Sequence, residues 1–337
     1  MLAVTIKDVA NLAGVSPATV SRVINNSSLV KEETAEKVNE AIDKLNYQIN
    51  ESARVLRTNC SSLIGVIGAG MDNPFLMKLL KGVEASAKAH GFNLIFGDSE
   101  GELEQELKYL NILNQRRVDG LIIITASIYN NLLDEIKSKG IPAVFASGYV
   151  NDNEIPCISV NNTRAAEDVI DYLYDLGHRK FGIIRGTYSD LVTSGERIKG
   201  VKSSFQKHQI DFNSVPIYEG DFSFESGSVA AKKILSDNPE TTAIFCFDDK
   251  MAIGAIRGAE ELGYNIPEDL SIVGFDDIEL SSYVKPALTT IHQSGYDMGY
   301  QAMEFLNKII DGEDPGKLKE FLPHELKIRE SSGTPPT

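Results

Sequence analysis

The chain has 337 residues, of which 42% are hydrophobic, and its formal net charge is −15 at pH 7. This length predicts two or three domains, and the apolar content is sufficient for sizeable cores. The opening MLAVTIKDVA carries a charge by its seventh residue, and no apolar run approaches the roughly 18 residues of a membrane span. We therefore expect a cytoplasmic protein with no membrane partner.

The charge is unevenly distributed along the chain. Residues 1–60 hold seven basic and seven acidic side chains, so the whole of the −15 falls on residues 61–337. Because like charges repel phosphate, only the first segment is suited to approach nucleic acid. The three cysteines, Cys60, Cys157 and Cys246, lie far apart and predict reduced, buried thiols, not a disulfide framework or a zinc site.

The first 46 residues have the pattern of three short helices. Ile6–Ala13 places apolar residues at helical spacing, with Thr5 as a plausible N-cap. Gly14 and Val15 then make a turn, and further helices are predicted over 17–24 and 31–46. A tight glycine turn between the first two helices is typical of a helix-turn-helix unit.

The second of these helices is the candidate for reading DNA. Ser16 is its N-cap and Pro17 takes the first helical position, where a missing N–H does no harm. A recognition helix contacts base edges with its N-terminal residues, and an arginine there can bind guanine with two hydrogen bonds. The alternative, that these residues only cap and solvate a small bundle, is disfavoured because the polar residues form one outer stripe opposite Val15, Val20 and Val23. The candidate DNA-binding residues in this region are Thr5, Ser16, Pro17, Ala18, Thr19, Ser21, Arg22 and Asn25.

Beyond residue 62, short apolar runs alternate with helical patterns. Two series of strands are predicted, at 63–70, 92–97, 120–125, 142–147 and 157–160, and then at 181–186, 242–247 and 270–276. Amphipathic helices are predicted between them, at 75–90, 102–115, 163–176, 194–209, 224–235 and 250–262. Such alternation indicates parallel sheets covered on both faces, so we predict an α/β core of two doubly wound subdomains. Ligands of this architecture bind beyond the carboxyl ends of the strands.

Several of these segments resemble those of a known family. TIKDVANLAGVSPATVSRVINN and LNYQIN are similar to the N-terminal module of the LacI/GalR family of bacterial repressors. DGLIIIT, DLGHRKFGIIRG, IFCFDDKMAIGAIRGAEELG, DLSIVGFDD and PALTTIHQ resemble the regulatory core of that family. The resemblance runs from about Thr5 to Arg329. It implies a dimeric or tetrameric repressor of operator DNA with a periplasmic-binding-protein-like core that takes a small-molecule effector.

The resemblance also implies a domain plan. A DNA-binding headpiece would span 1–48, a hinge helix and linker 49–61, and the effector-binding and dimerisation core 62–337. Within the core, one subdomain would comprise about 62–161 and 290–321, and the other about 162–289 and 322–330. The hinge would contact DNA through Asn50 and Ala53, with Leu56 as a minor-groove wedge. The usual proline before the asparagine is replaced by Ile49, which leaves the hinge geometry open.

Two acidic pairs, Asp248-Asp249 and Asp276-Asp277, follow predicted strands of the core. Their carboxylates could accept hydrogen bonds from a polyol, or they could cap the following helices, which is all we expect of Asp277. Carrying over the cleft positions of the family gives the effector-binding candidates Phe75, Ser147, Leu191, Thr193, Arg197, Phe222, Asp248 and Asp276. The effector implied is a sugar or a related metabolite. No GxGxxG motif follows the first strand, and no cofactor or metal site is expected.

Three other interpretations stay open at this point. The chain could be a carbon-catabolite-type regulator controlled by a phosphorylated phosphocarrier protein, or a sugar-binding protein that does not bind DNA. An enzyme is disfavoured, because no nucleophile–base motif appears and the five histidines lack metal-ligand spacing. A homodimer is expected, since a two-fold interface would match a palindromic site. Met251–Ala259 has the small and apolar spacing of such an interface.

Overall fold

The computed structural model describes residues 4–24, 30–47, 60–124, 130–148, 155–187, 190, 192–314 and 316–336. The chain divides into two compact units, Met1–Ser61 and Ser62–Thr337, which we call the headpiece and the core. The predicted hinge residues Ile49, Asn50, Ala53 and Leu56 lie outside the described residues, as do Asn25 and Leu191.

The described headpiece contains three helices, α1 (Ile6–Ala13), α2 (Pro17–Ile24) and α3 (Glu32–Leu45). Their apolar faces meet in one small cluster of buried side chains, Val9, Ala10, Val20, Val23, Val38 and Ala41. Val15, predicted to share this buried face, is half-buried against the cluster. The three predicted helices are thus confirmed to within one residue at each end.

Local signals in the sequence explain where the first two helices begin and end. The Asp8 carboxylate accepts hydrogen bonds from the Thr5 amide at 2.8 Å and the Thr5 hydroxyl at 2.7 Å, which holds the start of α1. Gly14 ends α1 with φ 67°, a left-handed conformation that glycine adopts without strain. Ser16 Oγ accepts from the Thr19 amide at 3.1 Å and caps α2, as predicted.

The first sheet of the core has six strands, all parallel. They are β1 (Leu63–Gly68), β2 (Asn93–Asp98), β3 (Gly120–Ile124), β4 (Ala143–Ala146), β5 (Cys157–Val160) and β11 (Lys319–Leu322). Their order across the sheet is β11-β5-β4-β3-β1-β2. Every residue of β3 and β4 is buried, as expected of central parallel strands covered on both faces.

The second sheet also has six strands. They are β6 (Phe181–Arg185), β7 (Ile217–Glu219), β8 (Ala243–Cys246), β9 (Ser271–Asp276), β10 (Thr289–Gln293) and β12 (His324–Lys327). Their order is β12-β10-β9-β8-β6-β7, and β12 runs antiparallel to β10 while the other pairs are parallel. The predicted pair of doubly wound sheets is confirmed, with one antiparallel edge strand.

Eight α-helices cover these sheets in the described part of the core. They are α4 (Pro74–Ala89), α5 (Leu103–Gln115), α6 (Asn130–Lys139), α7 (Asn162–Asp175), α8 (Thr193–Lys207), α9 (Phe224–Asp237), α10 (Asp249–Glu260) and α11 (Gly295–Ile310). No helix among the described residues is long and apolar enough to cross a bilayer. Cys157 and Cys246 are buried as predicted, whereas Cys60 is exposed, and none of the three forms a disulfide.

Two pairs of these helices cross at glycine. α4 meets α11 where a Cβ on Gly82 would overlap the Tyr296 carbonyl oxygen, and α10 meets α9 where a Cβ on Gly254 would overlap that of Phe224. The small residues of Met251–Ala259 are therefore used to pack α10 against α9 within the chain. Intrachain helix packing therefore accounts for the small residues of this spacing, and a role for this segment in a subunit interface stays a prediction.

The chain passes between the two sheets three times, after β5, after β10 and after β11. One subdomain therefore comprises β1–β5, α4–α6, α11 and β11, and the other comprises the remaining elements of the core. The second passage follows Gln293, because β10 pairs with β9, and so falls slightly later than the boundary near residue 290 that the sequence suggested.

Candidate functional site

The described candidate DNA-binding residues of the headpiece lie along α2 and at the start of α1, and most of them are exposed. Ser16, Pro17, Ala18 and Arg22 are exposed, and Thr5 is exposed at the start of α1. Thr19 and Ser21 are half-buried. The described candidates of α2 therefore extend from its N-cap, Ser16, to its last turn, where Arg22 lies.

The polar side chains of α2 differ in how many hydrogen bonds they already make within the protein. Ser16 Oγ lies 2.9 Å from Thr19 Oγ1, and since one hydrogen bond uses one hydroxyl proton, the other proton stays available to a phosphate oxygen. Arg22 has no ion pair or hydrogen bond to any described residue. Its guanidinium is thus free to bind a base edge or a phosphate.

The candidate ligand site is a cavity of about 420 Å³ in the core. Its wall includes residues at or just after the ends of β3, β4, β8, β9 and β10, namely Ile124, Ser147, Asp248, Asp276 and Gln293. The first two belong to one sheet and the last three to the other. This is the position at which parallel α/β sheets bind ligands, and the volume suits a small molecule.

Seven of the eight predicted effector-binding residues line this cavity. They are Phe75, Ser147, Thr193, Arg197, Phe222, Asp248 and Asp276. The eighth, Leu191, lies outside the described residues. The structure thus brings together positions that are spread over more than 200 residues of sequence, although their role in binding stays a prediction.

Arg197 is buried and its guanidinium is held by the protein. Its Nε donates to Asn162 Oδ1 at 2.9 Å and its Nη1 donates to the Phe247 carbonyl oxygen. The guanidinium carbon lies 3.4 Å above the ring centroid of Phe275, a cation–π contact. Burial lowers the pKa of Arg197, while the nearby Asp276 opposes this most among the neighbouring carboxylates. Arg197 therefore has a structural role in the cavity wall as well as lining the cavity.

Asp248 and Asp276 are buried carboxyls, only 4% and 7% exposed. Asp248 Oδ1 accepts from the Met251 amide at 2.7 Å and so caps α10, while Asp276 Oδ1 accepts from Gln293 Nε2 at 2.6 Å. Burial raises the pKa of Asp276 to about 6, and burial together with the charge of Asp276 raises the pKa of Asp248 well above its usual range. A raised pKa favours the neutral carboxyl group, which can donate a hydrogen bond as well as accept one.

Asp249 and Asp277, the second members of the two acidic pairs, do not line the cavity. Asp249 is fully buried and accepts from the Ile278 amide at 2.9 Å, the Ser281 hydroxyl at 2.6 Å and the Thr290 hydroxyl at 2.5 Å. Burial, with the charge of Asp276, raises the pKa of Asp249 to about 7. Its two oxygens join α10 to β10 and to the 3-10 turn that follows β9, so this carboxyl is structural.

Asp277 does not cap a helix, so our expectation for it was wrong. Its carboxylate accepts from Arg329 Nη2 at 2.5 Å and from His292 Nδ1 at 2.9 Å. The following 3-10 turn begins after Ile278 and takes no hydrogen bond from Asp277. The physical reason is that a close cation outcompetes the dipole of so short a turn.

Three of the cavity residues have a left-handed backbone. Ser147, Phe222 and Asp276 have φ of 69°, 64° and 116°, although none of them is glycine. Such conformations cost free energy and persist where the surroundings hold them, and they concentrate at binding sites. The remaining predicted residue with a fixed polar group, Thr193, donates its hydroxyl to the buried carboxylate of Asp190 and keeps its lone pairs for a ligand.

Sequence reasoning missed several polar residues of the wall. Lys250 Nζ lies 2.5 Å from Asp72 Oδ2, which is the one ion pair between the two subdomains among the described residues. Gln293 binds Asp276, and Glu100 and Asp221 lie at the edge of the cavity. Asp72, Glu100 and Gln293 come at or just after strand ends, so a search of every such position would have found them.

The headpiece contains a helix-turn-helix, and the core has two sheets with a cavity at their strand ends. This combination defines a class of DNA-binding regulators whose core can bind a ligand. Residues 5–50 match the family profile described as bacterial regulatory proteins, lacI family. Residues 61–330 match the profile described as periplasmic binding proteins and sugar binding domain of the LacI family. The chain therefore belongs to the LacI family of bacterial transcriptional regulators.

Individual relatives extend over the whole chain. Catabolite control protein A of Priestia megaterium is 36% identical over 329 residues, covering 98% of this chain and 99% of the relative. The HTH-type transcriptional repressor PurR of Vibrio vulnificus is 37% identical, covering 97% and 98%. The crystal structure of the lac repressor dimer bound to operator and the anti-inducer ONPF superposes with a TM-score of 0.89 at 29% identity, covering 98% and 99%.

Proposed function

We propose that the chain is a repressor that binds a palindromic operator as a homodimer and is controlled by a small-molecule effector in the cavity of the core. The observation that carries the proposal is the cavity, whose wall draws on both subdomains and contains seven of the predicted effector-binding residues. The relatives named as repressors, and the lac repressor dimer bound to operator and anti-inducer, support it.

The headpiece supplies the DNA contacts in this proposal. Arg22 reads one base position in each half-site, and the exposed start of α2 approaches the phosphates. The core, with its net −15 charge, stays away from the duplex because its field repels phosphate. A protein that acts on chromosomal DNA in a bacterium works in the cytoplasm, and we infer that location from the function.

The core supplies the control. A ligand that contacts both subdomains favours one arrangement of the two, and operator binding favours one arrangement as well. When the two preferences differ, ligand and operator lower each other's affinity; when they agree, each raises the other's. No chemical step is needed, and we infer a binding protein without enzymatic activity.

Exposed apolar side chains of the second subdomain support a homodimer. Tyr283 is 75% exposed and Leu280 is 42% exposed, and both lie in one short segment after β9. Exposed aromatic and aliphatic groups of this kind are typical of interfaces. An isologous interface would match the two-fold symmetry of a palindromic operator.

A regulator controlled by a phosphorylated phosphocarrier protein is the second candidate, favoured by the 36% identity with catabolite control protein A. A phosphorylated partner needs a cluster of arginine or lysine side chains to bind it. The strongly acidic core offers a poor surface for such a partner, so we rank this candidate below the small-molecule effector. A sugar-binding protein without DNA binding is ranked lowest because of the headpiece match.

The DNA part of the proposal is tested by selecting binding sequences from a random duplex library. We expect a two-fold symmetric site, and we expect Arg22→Ala to lose about 1–3 kcal/mol at one base position in each half-site. Lys44→Ala, which removes the same charge from the exposed end of α3, is the control and should keep the sequence preference. Selection of sequences without symmetry, or an Arg22→Ala protein with the parent's preference, contradicts the proposal.

The effector part is tested by measuring operator affinity with and without sugars, nucleosides and purines that raise the melting temperature. A ligand at about 100 times its Kd adds roughly 2.7 kcal/mol of stability. Phe222→Ala removes a wall of the cavity and should abolish the response while keeping operator binding. Val229→Ala, on α9 and 43% exposed, is the control, because Val229 does not line the cavity. An undiminished response in Phe222→Ala would show that the effector binds elsewhere. Arg197 is less suitable, because its replacement also removes the hydrogen bond to Phe247.

A further inference from the structure

The exposed side of α2 is cationic at one end and apolar at the other. Arg22, in the last turn, is exposed and forms no ion pair or hydrogen bond with a described residue. Pro17 and Ala18, in the first turn, are exposed as well, and their side chains contain only carbon. Ala18 and Arg22 are four residues apart, so they lie on the same side of the helix, one turn from each other. This side of α2 therefore presents an apolar group and a free cation to the same partner.

The polar groups of the first turn are mostly used within the headpiece. Ser16 Oγ accepts from the Thr19 amide at 3.1 Å and lies 2.9 Å from Thr19 Oγ1, and Thr19 is half-buried. Pro17 has no N–H, so the Ala18 amide is the backbone donor that this turn leaves over, and it suits a phosphate oxygen at the end of the helix axis. A base edge opposite Pro17 and Ala18 thus meets carbon and no hydrogen-bonding side chain.

Carbon can distinguish one base from the others in the major groove. Thymine presents a C5-methyl group there, whereas the other bases present donors and acceptors. An apolar side chain that covers this methyl group removes apolar surface of both partners from water, which is favourable. The same side chain over a donor or acceptor would leave that polar group without a partner. With no long side chain at positions 17 and 18, α2 can approach the base edges closely enough for this contact.

We propose that Ala18, with Pro17 beside it, reads thymine in each half-site of the operator through the C5-methyl group of that base. This proposal rests on the proposed function, since it concerns the same helix and the same operator. A rise of about 1.5 Å per residue places Ala18 about 6 Å from Arg22 along the helix axis, which is roughly two base-pair steps of about 3.4 Å. The thymine should therefore lie about two base pairs from the guanine that Arg22 reads.

The test uses the full-length protein and the symmetric site selected for it from the random duplex library. Synthetic duplexes carry deoxyuridine in place of thymidine at one symmetric pair of positions at a time, which removes the methyl group and keeps the base pair. We expect one such pair at which the affinity falls about threefold for each half-site, and so about tenfold in total. At the same pair, 5-methylcytosine should bind about tenfold more tightly than cytosine, because only the methyl group distinguishes the two.

A variant assigns the preference for the methyl group to α2. Ala18→Gly removes the Cβ that covers the methyl group, so thymidine and deoxyuridine duplexes should bind this variant equally. Asn39→Gly, at an exposed position of α3, is the control, since it introduces the same weak helix former away from α2 and should keep the full preference. A melting curve for each variant verifies that it is folded, and the base-analogue comparison on the parent protein depends on neither variant.

Three results overturn the inference. They are a selected site in which no thymine methyl group affects affinity, equal binding of cytosine and 5-methylcytosine, and a methyl preference that survives in Ala18→Gly. In each case a symmetric site has been selected and Arg22 can still be shown to read it, so the proposed function stands. A library that yields no symmetric site contradicts the proposed function, and this inference fails with it.

Discussion

The two subdomains of the core share an architecture but contribute different chemistry to the cavity. The first presents small and apolar groups, among them Ala69, Leu76 and Ile124, with exposed carboxylates at the edge of the cavity. The second presents buried charged groups, Arg197, Lys250, Asp248 and Asp276. A repeated fold therefore does not imply a repeated site, and polar recognition belongs mainly to one half.

The same difference appears in the titration of the carboxyl groups. Asp248, Asp249 and Asp276 each have a raised pKa, and all three lie in the second subdomain. Burial is the main cause in each case, because a charge in a low-dielectric surrounding is disfavoured. Under the proposed function, the buried carboxyls that discriminate among ligands therefore belong to the second subdomain.

The largest loss of stability is expected at the glycine residues where two helices cross, a feature that both subdomains share. Gly82→Ala in the first subdomain and Gly254→Ala in the second each place a Cβ on a backbone carbonyl oxygen of the facing helix, which cannot move aside as a side chain can. We expect each to lower the free energy of unfolding by about 3 kcal/mol, measured by urea denaturation.

A third glycine is the control for that comparison. Gly195 lies in α8, and a Cβ there would meet no atom closer than 3.8 Å. Gly195→Ala should be neutral or stabilise by up to about 1 kcal/mol, because alanine is the better helix former. If Gly82→Ala and Gly254→Ala behaved like Gly195→Ala, the close helix crossings described above would be incorrect.

The parts of the fold that the sequence predicted well are the ones with a strong local signal. β1, β3 and β8 are short apolar runs, and their bounds differ from the prediction by at most two residues. The strands β7, β10, β11 and β12 were not predicted, because IYE, TTIHQ, KEFL and HELK lack an apolar run. The helices α6 and α11 were also not predicted.

The site was predictable in so far as strand ends mark it. Asp248 and Asp276 follow apolar runs, so their position could be inferred. The ion pair of Lys250 with Asp72 joins residues 178 positions apart, and nothing local in the sequence signals it. The left-handed backbone of Ser147 and Phe222 could not be predicted from the sequence either, since neither residue is a glycine.

A smaller loss of stability is expected when Asp171, a carboxyl of the second subdomain, is replaced. The surroundings of this carboxyl stabilise its ionised form. The Asp171 carboxylate joins α7 to α8 by accepting from Ser204 Oγ at 2.5 Å, His208 Nε2 at 2.7 Å and Lys207 Nζ at 2.7 Å. Burial raises the pKa of Asp171, but the hydrogen bonds from Lys207, Ser204 and His208 outweigh burial and lower it to about 2. The folded state therefore favours the ionised form.

The sign of the pH dependence follows from this. A carboxyl with a lowered pKa contributes stability that is present above its unfolded pKa of about 3.8 and is lost as pH falls through about 2. We expect Asp171→Asn to lose about 2 kcal/mol at neutral pH, and we expect this difference from the parent to disappear near the folded pKa. Denaturation of both proteins across the acid range measures it. Asp175→Asn, an exposed carboxyl of the same helix, should change little, and a deficit that persisted at the lowest pH would point to packing instead of charge.

The smallest effect on stability is expected from the ion pair of Asp72 with Lys250, which joins the two subdomains. The Asp72 side chain is 80% exposed whereas that of Lys250 is 9% exposed, so solvent screens the attraction from one side. A double-mutant cycle with Asp72→Asn and Lys250→Met should give a coupling of about 1 kcal/mol or less. A coupling well above about 2 kcal/mol would mean that the pair clamps the subdomains together.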